Sequence, residues 1–133
     1  MKRIWVNGSF DILHIGHIRL LEYANLFGSV RVGIDTDERI KEKKGKDRPY
    51  NTLEDRVEFL YSLKYVDSVV TFNSNKELIN HIKEYNPDIM VIGDDYNYYS
   101  IIGIEHIPEV KFFPKVEGKS TTKILSYGKT NSL

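Results

Sequence analysis

The stretch Gly8-Ser9-Phe10-Asp11-Ile12-Leu13-His14-Ile15-Gly16-His17 decides how the rest of the chain is read. It follows an apolar run, Arg3 to Asn7, that reads as a short buried strand. It precedes His17 to Leu26, where Ile18, Leu20, Leu21, Ala24 and Leu26 recur at helical spacing. Gly8 permits a tight turn and leaves bare backbone that a ligand can approach. Gly16 falls at the helix start, where unpaired N–H groups and the helix dipole favour a phosphate. His14 and His17 lie one helical turn apart, so within a helix both imidazoles point the same way. Two imidazoles beside a polyphosphate can donate to oxygens that gain charge during phosphoryl or nucleotidyl transfer. A metal site is the rival: the two histidines with Asp11 make a possible ligand set.

Outward from this stretch, strands and helices alternate. Gly28 is placed to end the first helix. Val30 to Ile34 reads as a second strand, and Asp35-Thr36-Asp37 can cap the segment after it. Arg39 to Arg48 is dense in lysine and reads as a mobile basic loop closed by Pro49. Thr52 opens a helix with Val57, Leu60 and Leu63 on its apolar face. Val66 to Phe72 is a third strand, Lys76 to Tyr85 a helix, Ile89 to Ile92 a fourth strand and Val110 to Phe113 a fifth. Ser120-Thr121-Thr122 reads as the start of a last helix. This alternation implies a Rossmann-like, doubly wound parallel sheet of about five strands with helices on both faces. In such folds ligands sit beyond the carboxyl ends of the strands. Gly8 to His17, Gly93 to Tyr96 and Glu117 to Thr122 all follow strands at that edge, which points to one site.

Bulk composition narrows the function. The chain has 133 residues, 41% hydrophobic and 29% charged, with 19 Lys+Arg against 19 Asp+Glu. That length fits one domain, taken as residues 1–133. Cysteine is absent, so thiol catalysis, disulfides and Cys-ligated zinc are excluded. Zero net charge speaks against a nucleic-acid or membrane-surface binder. No leader-like or membrane-spanning apolar segment is expected, consistent with a cytoplasmic protein.

GSFDILHIGH resembles the GxFDxxHxGH signature of the cytidylyltransferase-like nucleotidyltransferases, and the resemblance extends over roughly residues 3 to 125. Glycerol-3-phosphate cytidylyltransferases are the most similar branch, with ethanolamine-phosphate cytidylyltransferases and heptose-phosphate adenylyltransferases also similar. The resemblance implies attack by a substrate phosphate on the α-phosphorus of a nucleoside triphosphate, with His14 and His17 stabilising the transition state. It implies nucleotide contacts from Gly8, Ser9, Phe10, Asp11 and Gly16. Ser9 stands where the closest branches usually have Thr or Cys. A lysine of the basic loop, Lys44 or Lys46 with Lys41 behind them, is expected to neutralise the triphosphate, and Arg56 to contact phosphate.

Gly93-Asp94-Asp95-Tyr96 resembles the GDDW or GDDY of cytidylyltransferases, placing Asp94 near the nucleotide. Glu117 to Ile124 resembles the family's RTEGISTTKI, in which Gly118, Ser120, Thr121 and Thr122 form an anion cradle. Lys115 replaces the arginine of that segment, keeping the charge but losing the planar fork. Tyr96, Tyr98 and Tyr99 can stack on a base or pack against the body. Gly45 to Pro49 resembles the KGxxRP of the heptose branch, as Ile101-Ile102-Gly103 also does in part.

The leading expectation is therefore a cytidylyltransferase that joins CTP to a small phosphorylated alcohol such as glycerol 3-phosphate and releases pyrophosphate. Mg²⁺ would accompany the triphosphate without dedicated protein ligands. The second expectation is an adenylyltransferase acting on a heptose 1-phosphate type of sugar phosphate or on flavin mononucleotide. A third, from another class, is a catalytically silent nucleotide-binding module. A homodimer is implied by resemblance.

Overall fold

A computed structural model describes residues 1–93 and 101–114. Along the chain run β1 (Lys2–Gly8), α1 (Ile15–Asn25), β2 (Gly28–Asp35), α2 (Asp37–Lys44), α3 (Leu53–Tyr61), β3 (Ser68–Phe72), α4 (Asn75–Tyr85), β4 (Ile89–Gly93), a 3₁₀ turn (Ile104–His106) and β5 (Glu109–Phe113). The five strands form one parallel sheet in the order β3-β2-β1-β4-β5. Strand order reverses between β1 and β4, so the doubly wound Rossmann-like expectation holds.

Period-two alternation divides the core into two layers. Ile4 and Val6 of β1, Val30, Val32 and Ile34 of β2, and Ile89 and Val91 of β4 pack with Leu21 and Ala24 of α1 and Leu60 of α3. Trp5, Phe72, Met90 and Ile92 point to the other face and meet Leu78 and Ile82 of α4. Gly33 makes room for the indole: a Cβ there would lie 2.5 Å from Trp5 Cζ2.

Two expectations need correction. Gly28 does not stop α1. It is the first residue of β2, opposite Lys2, and a Cβ there would fall 2.1 Å from the Lys2 carbonyl oxygen. The helix closes earlier, at Leu26. Nor is Arg39 to Arg48 one basic loop, since α2 occupies Asp37–Lys44. Thr36 caps α2 by accepting from the Arg39 N–H. Acidic Asp37 and Glu38 in its first turn and Lys41, Lys43 and Lys44 in its last complement the helix dipole. Ile40 and Arg39 are buried and anchor it. Only the short turn from Gly45 onward is irregular.

Candidate active site

The signature folds as a strand end, a tight wrap and a helix start. Phe10 takes a positive φ of 48°. That region costs a residue with a Cβ about 1 kcal/mol or more. The ring is only 6% exposed, so core packing holds the conformation in place. Phe10 thus serves the site from beneath, with its ring 5.0 Å from that of His17.

His14 is the N-cap of α1 rather than part of its first turn, with extended backbone at φ −140° and ψ 176°. Its Nδ1 accepts from the Gly16 N–H at 3.1 Å. His17 Nδ1 in turn accepts from the His14 N–H at 3.2 Å. The pair makes a reciprocal capping box in which imidazoles do what a hydroxyl and a carboxylate usually do. The rings stack with centroids 3.8 Å apart and planes 28° from parallel. A nitrogen that accepts a backbone N–H holds a lone pair, so each neutral ring carries its proton on Nε2. The local backbone thereby sets two Nε2–H donors side by side. The Gly16 N–H, expected at a phosphate, is already committed to His14.

Burial, then the neighbouring His14 and Lys44, lower the His17 pKa from the ordinary 6.5 to about 3. His17 is therefore a neutral donor at working pH. Its folded pKa lies below its unfolded one, so its contribution to stability is full above about pH 6.5 and is lost as pH falls toward about 3. The His17 ring resonances are expected to stay at their neutral positions from pH 8 down to 5 in an NMR titration of the unliganded protein. A midpoint near 6.5 would contradict the assignment.

Lys44 reaches the signature from the end of α2, with Nζ 3.3 Å from Ser9 Oγ. Desolvation, then the nearby Arg48 guanidinium, lowers its pKa. An arriving anion would relieve that crowding of like charge. Of the two candidate lysines the structure therefore brings Lys44 to the histidines. Lys46 is exposed, and no described residue ties it to the site.

Asp11 and Arg56 sit beneath this surface, each held by protein partners. Asp11 is fully buried. Its carboxylate accepts from Arg48 Nε at 3.1 Å and from the Tyr50 and Asn51 N–H groups at 2.9 Å each. Its own carbonyl accepts from Asn51 Nδ2. Burial pushes the Asp11 carboxyl up, but the Asn51 and Tyr50 N–H groups and the Arg48 charge outweigh it and the net pKa is lowered. So committed, it is no partner for a metal bound to the histidines. Among the described residues no group of three or more His, Cys, Asp or Glu could hold a metal ion.

Arg56, also fully buried, donates to the carbonyls of Asn51, Ser9 and Asp35 and to the Asp37 carboxylate at 2.6 Å. It ties the ends of β1 and β2 to the starts of α2 and α3. Sequence reasoning missed Arg48 and Asn51 as members of this scaffold; no local pattern marks them. Asp94, Lys115, Gly118, Ser120, Thr121 and Thr122 lie outside the described residues.

A family model described as cytidylyltransferase-like matches residues 5–124. The bifunctional protein HldE of Campylobacter fetus subsp. fetus is 44% identical over 92% of this chain and 27% of its own length. That of Sulfurimonas denitrificans is 45% identical over 93% of this chain and 26% of its own. The chain thus spans about a quarter of the curated relatives it matches. Among solved structures, a lipopolysaccharide core biosynthesis protein from Thermoplasma volcanium GSS1 superposes with a TM-score of 0.74 at 25% identity. The match covers 88% of this chain and 99% of that one.

Proposed function

Since the chain belongs to the cytidylyltransferase-like nucleotidyltransferases, we propose that it is an adenylyltransferase that joins AMP from ATP to a sugar phosphate of the heptose 1-phosphate type and releases pyrophosphate. The observation that carries the nucleotidyl-transfer chemistry is the stacked histidine pair with its protons fixed on Nε2. An oxygen of the acceptor phosphate attacks the α-phosphorus, the bond to the β-phosphate oxygen breaks, and pyrophosphate leaves. The Nε2–H groups donate to oxygens whose negative charge grows in the transition state, and Lys44 offsets further charge. Neutral His17 donates without competing for a proton. Catalysis on this account is positioning and charge stabilisation, with no covalent intermediate. Mg²⁺ arriving with the triphosphate would supply neutralisation of phosphate charge, without dedicated protein ligands.

The choice of acceptor rests on likeness. Relatives at 44% and 45% identity are HldE proteins, and Gly45 to Pro49 resembles the heptose branch. These favour the sugar-phosphate reading over the transfer of CMP to glycerol 3-phosphate suggested by Asp94. The cytidylyltransferase remains the second reading on the strength of Gly93-Asp94-Asp95. We take residues 1–133 as one catalytic domain, working in the cytoplasm as a homodimer. Among the described residues no helix is long and apolar enough to cross a membrane.

Pyrophosphate release with ATP or CTP and Mg²⁺, against heptose 1-phosphate, glycerol 3-phosphate, phosphoethanolamine and flavin mononucleotide, tests the proposal. Turnover with ATP and heptose 1-phosphate is expected. Turnover confined to CTP with glycerol 3-phosphate would replace it by the second reading. Silence with every pair would leave a binding module.

A further inference from the structure

The ladder between β1 and β4 stops at Trp5–Met90. On the other side of β1 the pairing with β2 continues to Gly8–Ile34, and β4 stays paired with β5 up to Gly93. The described β1–β4 pairing therefore ends short of the strand tips, where strand order reverses, and ligands of doubly wound sheets settle in that crevice. Asn7 stands on its wall. It is half-buried and shares the face of Trp5, opposite the layer that holds α1.

Its amide is not free to turn. Trp5 is fully buried, and its indole Nε1–H donates to Asn7 Oδ1 at 2.9 Å. The oxygen is thereby fixed toward the indole, and among the described residues none accepts from Nδ2. Holding the indole proton needs only an acceptor oxygen. A carboxylate or hydroxyl would serve, so the amide nitrogen is surplus to the packing.

We propose that Asn7 is a nucleotide-positioning residue whose Nδ2 donates to a ribose hydroxyl oxygen of the bound nucleoside triphosphate. This rests on the nucleotidyltransferase reading but not on the identity of the acceptor. Asn7 adjoins Gly8, where the phosphate-facing loop begins. The ribose is the group bonded directly to the α-phosphate, so it is the part of the nucleotide that comes within a side chain's reach of that point. A fixed donor discriminates against an analogue that lacks its partner oxygen.

Calorimetric binding of ATP, 2′-deoxyATP and 3′-deoxyATP with Mg²⁺ tests this in the wild-type chain, in Asn7→Ser and in Trp5→Phe, with CTP and its deoxy analogues alongside. Asn7→Ser keeps a hydroxyl oxygen beside the indole and removes the amide donor, and it is too short to reach the ribose; an aspartate would not serve, because its second oxygen can itself accept from a ribose hydroxyl. Any general loss of affinity affects ribo- and deoxynucleotides alike, so the ratio of their Kd values is the readout. The wild type is expected to prefer the ribonucleotide over one deoxy analogue by about 5- to 10-fold. Asn7→Ser should bring that ratio close to one, and Trp5→Phe, which releases the amide, should move it the same way. An undiminished ratio in Asn7→Ser, or no preference in the wild type, overturns the assignment. If Asn7→Ser fails to fold, the ratio in Trp5→Phe decides on the same terms. Failure of the wild type to bind either nucleotide overturns the nucleotidyltransferase reading itself, and this assignment with it.

Discussion

Replacing His17 by asparagine is expected to lower kcat by roughly 10²- to 10³-fold, the loss that accompanies removal of one donor to a developing oxyanion. Asparagine is the informative choice because His17 has two duties. Its Nδ1 accepts the His14 N–H, which leaves the ring proton on Nε2 as a donor. Asn Oδ1 can take over the first duty, while nothing on asparagine reaches the position of Nε2. His17→Gln makes the converse exchange: it reaches the Nε2 position with an N–H but gives up the cap. The amide variant that keeps the helix start should be folded and nearly inactive. The longer one should be less stable and more active than it. Steady-state kinetics with thermal melts on both would separate the duties. Near-normal turnover in His17→Asn would remove His17 from the chemistry.

Arg56→Met should destabilise the fold by about 3–5 kcal/mol, the range seen when one partner of a buried ion pair is removed. The guanidinium serves three backbone carbonyls as well as Asp37. Methionine fills much of the volume but leaves those oxygens unpaired in the interior. Arg56→Lys keeps the charge, yet a single ammonium cannot span four acceptors in different directions, so most of the loss should remain. Urea unfolding of both variants measures it. A cost below about 1 kcal/mol would mean that Arg56 is not the clamp of this site. Activity should fall through kcat more than through KM, since what shifts is the placement of the Ser9 and Asn51 backbones.

These two residues mark what the sequence reveals and what it hides. His14, Gly16 and His17 are neighbours in the chain, so their spacing alone announces a site. Thr36 and Thr52 were legible as caps because capping is local. The strands were legible because β-branched runs alternate with amphipathic helices. Asp11 and Arg56 were not. Their chemistry is set by partners distant in sequence, such as Arg48 for Asp11 and Ser9 for Arg56. A carboxylate and a guanidinium near the signature give no sign in the sequence of the protein partners that the fold brings to them. The second helix was hidden for another reason: its high charge density reads as solvated loop, and only two buried residues, Arg39 and Ile40, betray its inner face. Lys44 could be narrowed from its neighbours only once that helix had fixed where its last turn points.

The histidine capping box also bears on descent. A duplicated copy released from selection for turnover is not released from the need to begin its first helix. Drift at position 14 is then filtered by folding, and it should admit chiefly the small residues that cap well, serine, threonine, asparagine and aspartate. Copies that have fallen silent should therefore be recognisable by an ordinary cap at position 14 within an otherwise intact loop, rather than by random replacement there.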